Sequence, residues 1–256
     1  MSTKILKYIF IELIRNRFII FYAIFLFVLS SAIIYIGHDS SKAVVTLLNL
    51  ILFIIPLVSL IFGTIHFYNS GEFIQLLLTQ PVDRKSIFLA EYLGIAFSLS
   101  LAFIAGAGLP LIYYGITVPV MFLLGTGVIL TFIFVSLAFF SSVINKDKVK
   151  GIGLSVIIWL FMSVIFDGII FVILFAFNDY PIEKFILIFT SLNPVDLSRI
   201  LILLQINISA LMGFTGALFR DFFGSAVGMI TAFILLMTWI FIPGFVSMKV
   251  FNKKNF

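Results

Sequence analysis

Cysteine is absent from the 256 residues, which excludes a disulfide framework, a thiolate metal site and a cysteine nucleophile. Histidine occurs only as His38 and His66, with no partner at metal-ligand spacing, so a polar role near a membrane interface is the better reading for both. Charge is scarce too, at 11% of residues against 62% hydrophobic, with mean hydropathy +1.27. A chain with so few charges has too little polar surface to wrap its apolar side chains in water, and a soluble domain is excluded. No G-x-x-x-x-G-K-[ST] string is present, so the chain lacks a phosphate cradle of that type. It also lacks a Ser/His/Asp arrangement, an H-E-x-x-H helix and a pair of general-acid carboxylates, so catalysis within the chain is not expected. Seven methionines, among them Met162, Met212 and Met229, offer soft thioether ligands in principle but read as packing.

What the chain does have is long apolar runs. Phe18 to Gly37, Ala43 to Phe67, Tyr92 to Tyr114, Val118 to Ile144, Gly151 to Phe177 and Gly224 to Val250 each reach the length needed to cross a bilayer, about 20 residues for a core about 30 Å thick. The runs are continuous rather than alternating in steps of two, which predicts helices and not an outer-membrane barrel. The expected class is therefore all-α, a polytopic membrane protein with six transmembrane helices in one domain, residues 1–256. The first run is too long for a cleaved signal peptide, follows an amphipathic stretch and lacks a small-x-small site, so it is expected to stay as an anchor.

Six spans put both termini on one side. Lys4, Lys7, Arg15, Arg17, Arg84, Lys85, Lys146, Lys148, Lys150, Lys249, Lys253 and Lys254 fall on the termini and even-numbered loops, while Lys42, Lys184, Arg199 and Arg220 fall opposite. That asymmetry predicts cytoplasmic termini. The net charge of +5 then reflects orientation and contact with anionic membrane lipid, and a nucleic-acid partner is not indicated.

Before the first span, within residues 1–17, Ile5, Leu6, Ile9, Phe10, Leu13 and Ile14 recur at helical spacing among Lys7, Glu12, Arg15 and Asn16, predicting an interfacial helix that turns upward near Asn16. The loop over residues 68–91 splits at Pro81. Phe73, Leu76, Leu77 and Gln80 follow i, i+3, i+4, i+7 spacing and would lay one face on a surface. Pro81 stops that turn, and Asp83 is placed to cap a second helix from Arg84 into the third span. Asn145 to Lys150 reads as a charged stop-transfer turn.

Residues 178–223 are expected to form helices on the outer side, with Pro194 starting one of them. Leu197 to Phe219 is long enough to span. However, it holds Gln205, Asn207, Ser209 and Thr215, and as a seventh span it would carry Lys249, Lys253 and Lys254 outside; it remains the alternative. Asp167 is the one acid placed well inside the membrane, with no second buried carboxylate or lysine expected beside it. It reads as a proton or cation site or as a hydrated group near the outer interface. Gly106 with Gly108, Gly125 with Gly127, Gly213 with Gly216 and Gly224 with Gly228 are read as sites of close helix packing.

Arg15-Asn16-Arg17 after an amphipathic helix, then Glu72-Phe-Ile-Gln-Leu-Leu-Leu-Thr-Gln-Pro-Val-Asp-Arg84 between spans two and three, resemble the membrane subunit of ABC-2-type ATP-binding-cassette exporters. The resemblance implies one ABC-2-type transmembrane domain in the inner (cytoplasmic) membrane, working as a homodimer. A cytoplasmic ABC ATPase subunit would hold the ATP and magnesium, with no cofactor or metal bound by this chain itself. By the same resemblance the 68–91 loop carries a coupling helix, with Phe73, Leu76, Leu77, Gln80, Pro81, Val82, Arg84 and Lys85 at the ATPase contact. Leu192-Asn-Pro-Val-Asp-Leu-Ser-Arg199 and Ile208-Ser-Ala-Leu-Met-Gly-Phe-Thr-Gly216 look like the permeases of nitrous-oxide-reductase maturation systems, which serve assembly of a copper–sulfur centre. That implies a periplasmic β-helix partner, for which Asn193, Pro194, Asp196, Arg199, Arg220 and Asp221 would form an outer landing surface. The alternatives are a general exporter of another substrate, or an ion-coupled transporter using Asp167.

Overall fold

A computed structural model describes residues 3–37, 40–177, 180, 182–206 and 222–253. The described chain is helical throughout: α1 (Thr3–Ile14), α2 (Arg17–Ile36), α3 (Ser40–Asn69), α4 (Gly71–Leu78), α5 (Arg84–Tyr113), α6 (Val118–Ile144), α7 (Lys148–Ala176), α8 (Glu183–Ser191), α9 (Pro194–Leu203) and α10 (Ala226–Lys253). Six of these, α2, α3, α5, α6, α7 and α10, are long and apolar enough to cross a membrane. The protein is an all-α, multi-pass membrane protein. Residues 207–221, which hold most of the proposed seventh span together with Arg220 and Asp221, lie outside the described residues, as does His38.

Helix α6 is the axis of the bundle, packed by α3, α5, α7, α9 and α10. Its residues Ile133 to Phe139 are buried in unbroken succession, so it is enclosed on every face. Without water, such a helix can join its neighbours only through satisfied polar groups or close packing. Thr64 of α3, Ser155 of α7 and Ser141 of α6 form a buried hydroxyl chain at 2.7 and 2.8 Å, and Ser141 Oγ donates onward to the Gly151 carbonyl at 2.7 Å. Because the Ser141 proton is committed to Gly151, Ser155 donates to Ser141 and Thr64 to Ser155, and each hydroxyl inside the chain both gives and accepts.

Pro56 of α3 and Pro243 of α10 each open the backbone, and a neighbouring helix answers each opening. Phe53 lies three residues before Pro56 in α3, and its carbonyl accepts Trp159 Nε1 of α7 at 3.2 Å. Ile240 lies three residues before Pro243 in α10, and its carbonyl accepts Ser136 Oγ of α6 at 2.9 Å. Proline removes a backbone donor and distorts the preceding turn, so these carbonyls are free to take side-chain donors across the bundle.

The amphipathic α1 buries Ile9 and Leu13 against α5, where a Cβ on Gly94 would lie 2.7 Å from Ile9 Cγ2. Asn16 ends the turn after α1 and caps α2, its side chain accepting the Phe18 N–H at 2.9 Å. Helix α5 contains a π-helical turn at Ile104–Gly108, which lays Gly106 on α2. A Cβ at Gly106 would sit 2.6 Å from the Ala23 carbonyl oxygen, a backbone atom that cannot swing aside, whereas one at Gly125 meets nothing within 4 Å. Gly106→Ala is therefore expected to destabilise the protein by about 1–3 kcal/mol. Gly125→Ala should leave stability unchanged or raise it by a few tenths of a kcal/mol to about 1 kcal/mol, and thermal unfolding of the two variants in the same detergent checks the contrast.

Candidate functional site

The ends of five spans meet at one end of the bundle. Tyr68 Oη donates to the Asn145 carbonyl at 3.0 Å, Lys148 Nζ to Asn69 Oδ1 at 2.8 Å, and Arg84 Nη1 to the Asn252 carbonyl at 3.1 Å. These contacts gather the α3–α4–α5 connection, the α6–α7 turn and the last turn of α10 into one basic end. The Arg84 contact is favourable twice over, because the terminal carbonyls of α10 carry the negative end of the helix dipole.

Within that end, α4 follows α3 after a single turn at Ser70, and Gln80 and Pro81 then interrupt the chain before α5. Asp83 occupies the N-cap position of α5 with extended backbone (φ −64°, ψ 133°), and its carbonyl takes the first helical N–H groups; its side chain makes no capping bond. The orientation of α4 departs from the expected docking face. Ile74 and Leu77 are buried, Phe73 is half-buried with its ring stacked on Tyr8 at 5.8 Å, and Leu78 and Val82 pack against the core. The exposed side runs through Glu72, Gln75, Leu76 and Thr79, continuing into Gln80, Pro81, Arg84 and Lys85. Leu77 is thus removed from any docking surface and Phe73 largely so, because α4 needs two residues per turn to anchor itself on the spans. Leu76, 57% exposed, is the apolar residue left to a partner.

Sequence reasoning missed the polar pair behind α4. Glu91 of α5 is 2% exposed, and its Oε2 lies 3.3 Å from His66 Nε2 of α3. The same nitrogen is 3.1 Å from Ser70 Oγ at the start of α4. A histidine near one span end and a glutamate two turns inside the next were the available signal.

At the opposite end, α8 and α9 form a pair of helices bent by 110°, and α9 inserts against α3, α6 and α10 with Leu197, Leu201 and Ile202 buried. Asn193 begins α9. Its Oδ1 accepts the Val195 N–H at 3.0 Å, while its Nδ2 donates to Asp196 Oδ2 at 3.0 Å and to the Met162 carbonyl of α7 at 2.8 Å. Met162 lies in a second π-helical turn, Phe161–Ile165, which frees a carbonyl to take that bond. Arg199 Nη1 then joins Asp196 Oδ1 at 3.0 Å and Asp167 Oδ2 of α7 at 2.9 Å.

This arrangement overturns two expectations. Asp167 is not solitary, since Arg199 from α9 neutralises it and Asp196 supplies the second carboxylate. Asn193, Pro194 and Asp196 are buried and cannot serve as a landing surface, and Arg199 points most of its guanidinium into the cluster. The reason is local: a helix whose first turn packs into a bundle must satisfy its cap inside the protein. Among the described residues, no three or more His, Asp or Glu side chains are grouped so as to hold a metal ion.

No protein-family profile matches the chain. Over 277 aligned positions it is 24% identical to a Stutzerimonas stutzeri protein named "Probable ABC transporter permease protein NosY", with 94% of each chain covered. The chain resembles an ABC transporter permease. A Pseudomonas aeruginosa protein of the same name is 25% identical over 209 positions, covering 73% of this chain and 76% of that one. The similarity runs nearly end to end, and it supports a permease subunit of an ABC transporter, with hydrolysis belonging to a partner ATPase.

Arg199→Met should cost about 1.5–3 kcal/mol, the scale of hydrogen bonds to charged groups, because it strands two carboxylates. Adding Asp167→Asn to Arg199→Met should recover part of that loss, and a double-mutant cycle by thermal unfolding measures the coupling.

Proposed function

We propose that the chain is the membrane-spanning permease of an ATP-driven export or mechanotransmission system that serves assembly of the copper–sulfur centre of nitrous oxide reductase. The observation that carries the permease reading is α4: an eight-residue helix pinned by Ile74 and Leu77, offering Leu76 outward at the basic end of a chain with no phosphate cradle of its own. The names of the relatives and the string from Leu192 to Arg199 support the finer assignment. In this reading the basic end faces the cytoplasm from the inner membrane, and a cytoplasmic ATPase that binds ATP and magnesium docks on Leu76, Gln80, Pro81, Arg84 and Lys85. Closure of two such ATPases pulls on α4 and shifts the bundle between two packings.

A homodimer is supported by how little of α7 the chain covers. Only 6% of its apolar window is buried, and Asp167 and Arg199 reach its flank with side chains 37% and 30% exposed. Charged groups are poorly placed against lipid and well placed against a second copy. Work on an outer β-helix protein is then mechanical, through the α8–α9 pair locked to α7 by Asn193 and Arg199. Because Arg199 occupies Asp167, an ion-coupled transporter using that carboxylate is disfavoured.

Tagged protein purified in mild detergent is expected to retain the ATPase encoded beside it and to stimulate its hydrolysis. Leu76→Asp, at an exposed position where folding changes by at most about 0.5 kcal/mol, should reduce ATPase retention tenfold or more. Failure of the wild-type chain to retain any ATPase would sink the reading.

A further inference from the structure

Behind α4 lies a polar cavity of about 290 Å³, enclosed by α1, the α3–α4 junction and α5. Glu91 and His66 line its interior, Glu12 and Asn16 stand on the α1 side, and Tyr8 and Phe73 close it with stacked rings. Several lining polar atoms are already engaged. Asn16 Oδ1 accepts the Phe18 N–H, Asn69 Oδ1 accepts Lys148 Nζ at the rim, and His66 Nε2 is shared between Ser70 and Glu91. What remains is the pair of carboxylates: among the described residues Glu12 has no ion pair, and Glu91 has only the imidazole. Among the described residues no lysine or arginine lines the cavity, although this end of the bundle carries exposed Lys7, Arg15, Arg84, Lys85 and Lys148.

We propose that this cavity receives a guanidinium or ammonium side chain from the cytoplasmic ATPase, a second anchor beside Leu76; the proposal rests on the permease reading above. A carboxylate 2% exposed is costly to leave without a cation, and among the described residues only the His66 imidazole faces it. Two aromatic faces beside two carboxylates suit an organic cation, which gains from the ring faces and from charge-assisted hydrogen bonds together. Location selects the source. Phe73 belongs to α4 and Ser70 precedes it, so a side chain inserted here touches the docking helix and, through Glu91, the core span α5. An acidic recess at an end of the bundle rich in lysine and arginine also favours one register for a basic side chain.

The test is the affinity of the detergent-purified chain for the ATPase encoded with it, measured across a salt series. Glu12→Gln with Glu91→Gln keeps shape and removes charge; it should weaken binding at least tenfold and flatten the salt dependence. Asp147→Asn, an exposed acid that caps α7 away from α4 and outside the cavity, should bind as wild type. Should the double variant fail to fold, Glu12→Gln alone, at the exposed rim, should still weaken binding threefold or more. Wild-type affinity and salt slope in the folded Glu variants, with binding lost in Leu76→Asp, would overturn the cavity proposal and keep the permease reading. No ATPase binding by the wild type would remove both. Unchanged ATPase affinity in the Glu variants, with thermal stability altered only in phosphatidylethanolamine nanodiscs, would assign the cavity to a lipid headgroup and overturn the proposal.

Discussion

Inside hydrocarbon there is no water to complete a broken backbone or a stray hydroxyl, and the architecture follows from the need to complete them internally. Helix α6 meets that need from the centre. Its Ser136 closes the carbonyl opened ahead of Pro243, its Ser141 terminates the hydroxyl chain from Thr64, and its buried Ile133–Phe139 run supplies apolar surface to its neighbours. Trp159 closes the carbonyl ahead of Pro56 in the same manner from α7. Pro56 with Trp159 and Pro243 with Ser136 are thus matched pairs, one helix exposing a carbonyl and another answering it.

That arrangement leaves a stiff middle with distinctive chemistry at each end. At the basic end, His66, Ser70 and Glu91 join the start of α4 to the two spans flanking it, so α4 is an extension of the bundle rather than a loose loop. At the other end, the cap of α9 reaches into the π-helical turn of α7, and Arg199 bridges two carboxylates on two helices. A π-helical turn holds one residue more than the surrounding helix accommodates, and a carbonyl it frees can take a donor from a neighbouring helix. Asn193 is that donor.

The spans were legible in the sequence because length and hydropathy alone decide whether a segment crosses; Val118–Ile144 agrees to the residue. The start of α5 after Asp83 and the break at Asn16 were legible from turn chemistry. The side of α4 that faces outward was not. Spacing groups Phe73, Leu76, Leu77 and Gln80, but which side turns inward depends on Tyr8, far away in sequence in another helix. Asp167 with Arg199, and His66 with Glu91, escaped for the same reason, since each pair joins separate helices. Neither π-helical turn carries a residue pattern that announces it.

The bond from Arg84 to the Asn252 carbonyl joins the start of α5 to the end of the last span. A load applied at α4 therefore has two routes into the membrane, one through α5 and one through α10, and the two meet again on α6. Springs in parallel add their stiffness. Loss of one route softens the linkage, while the other still joins α4 to the bundle.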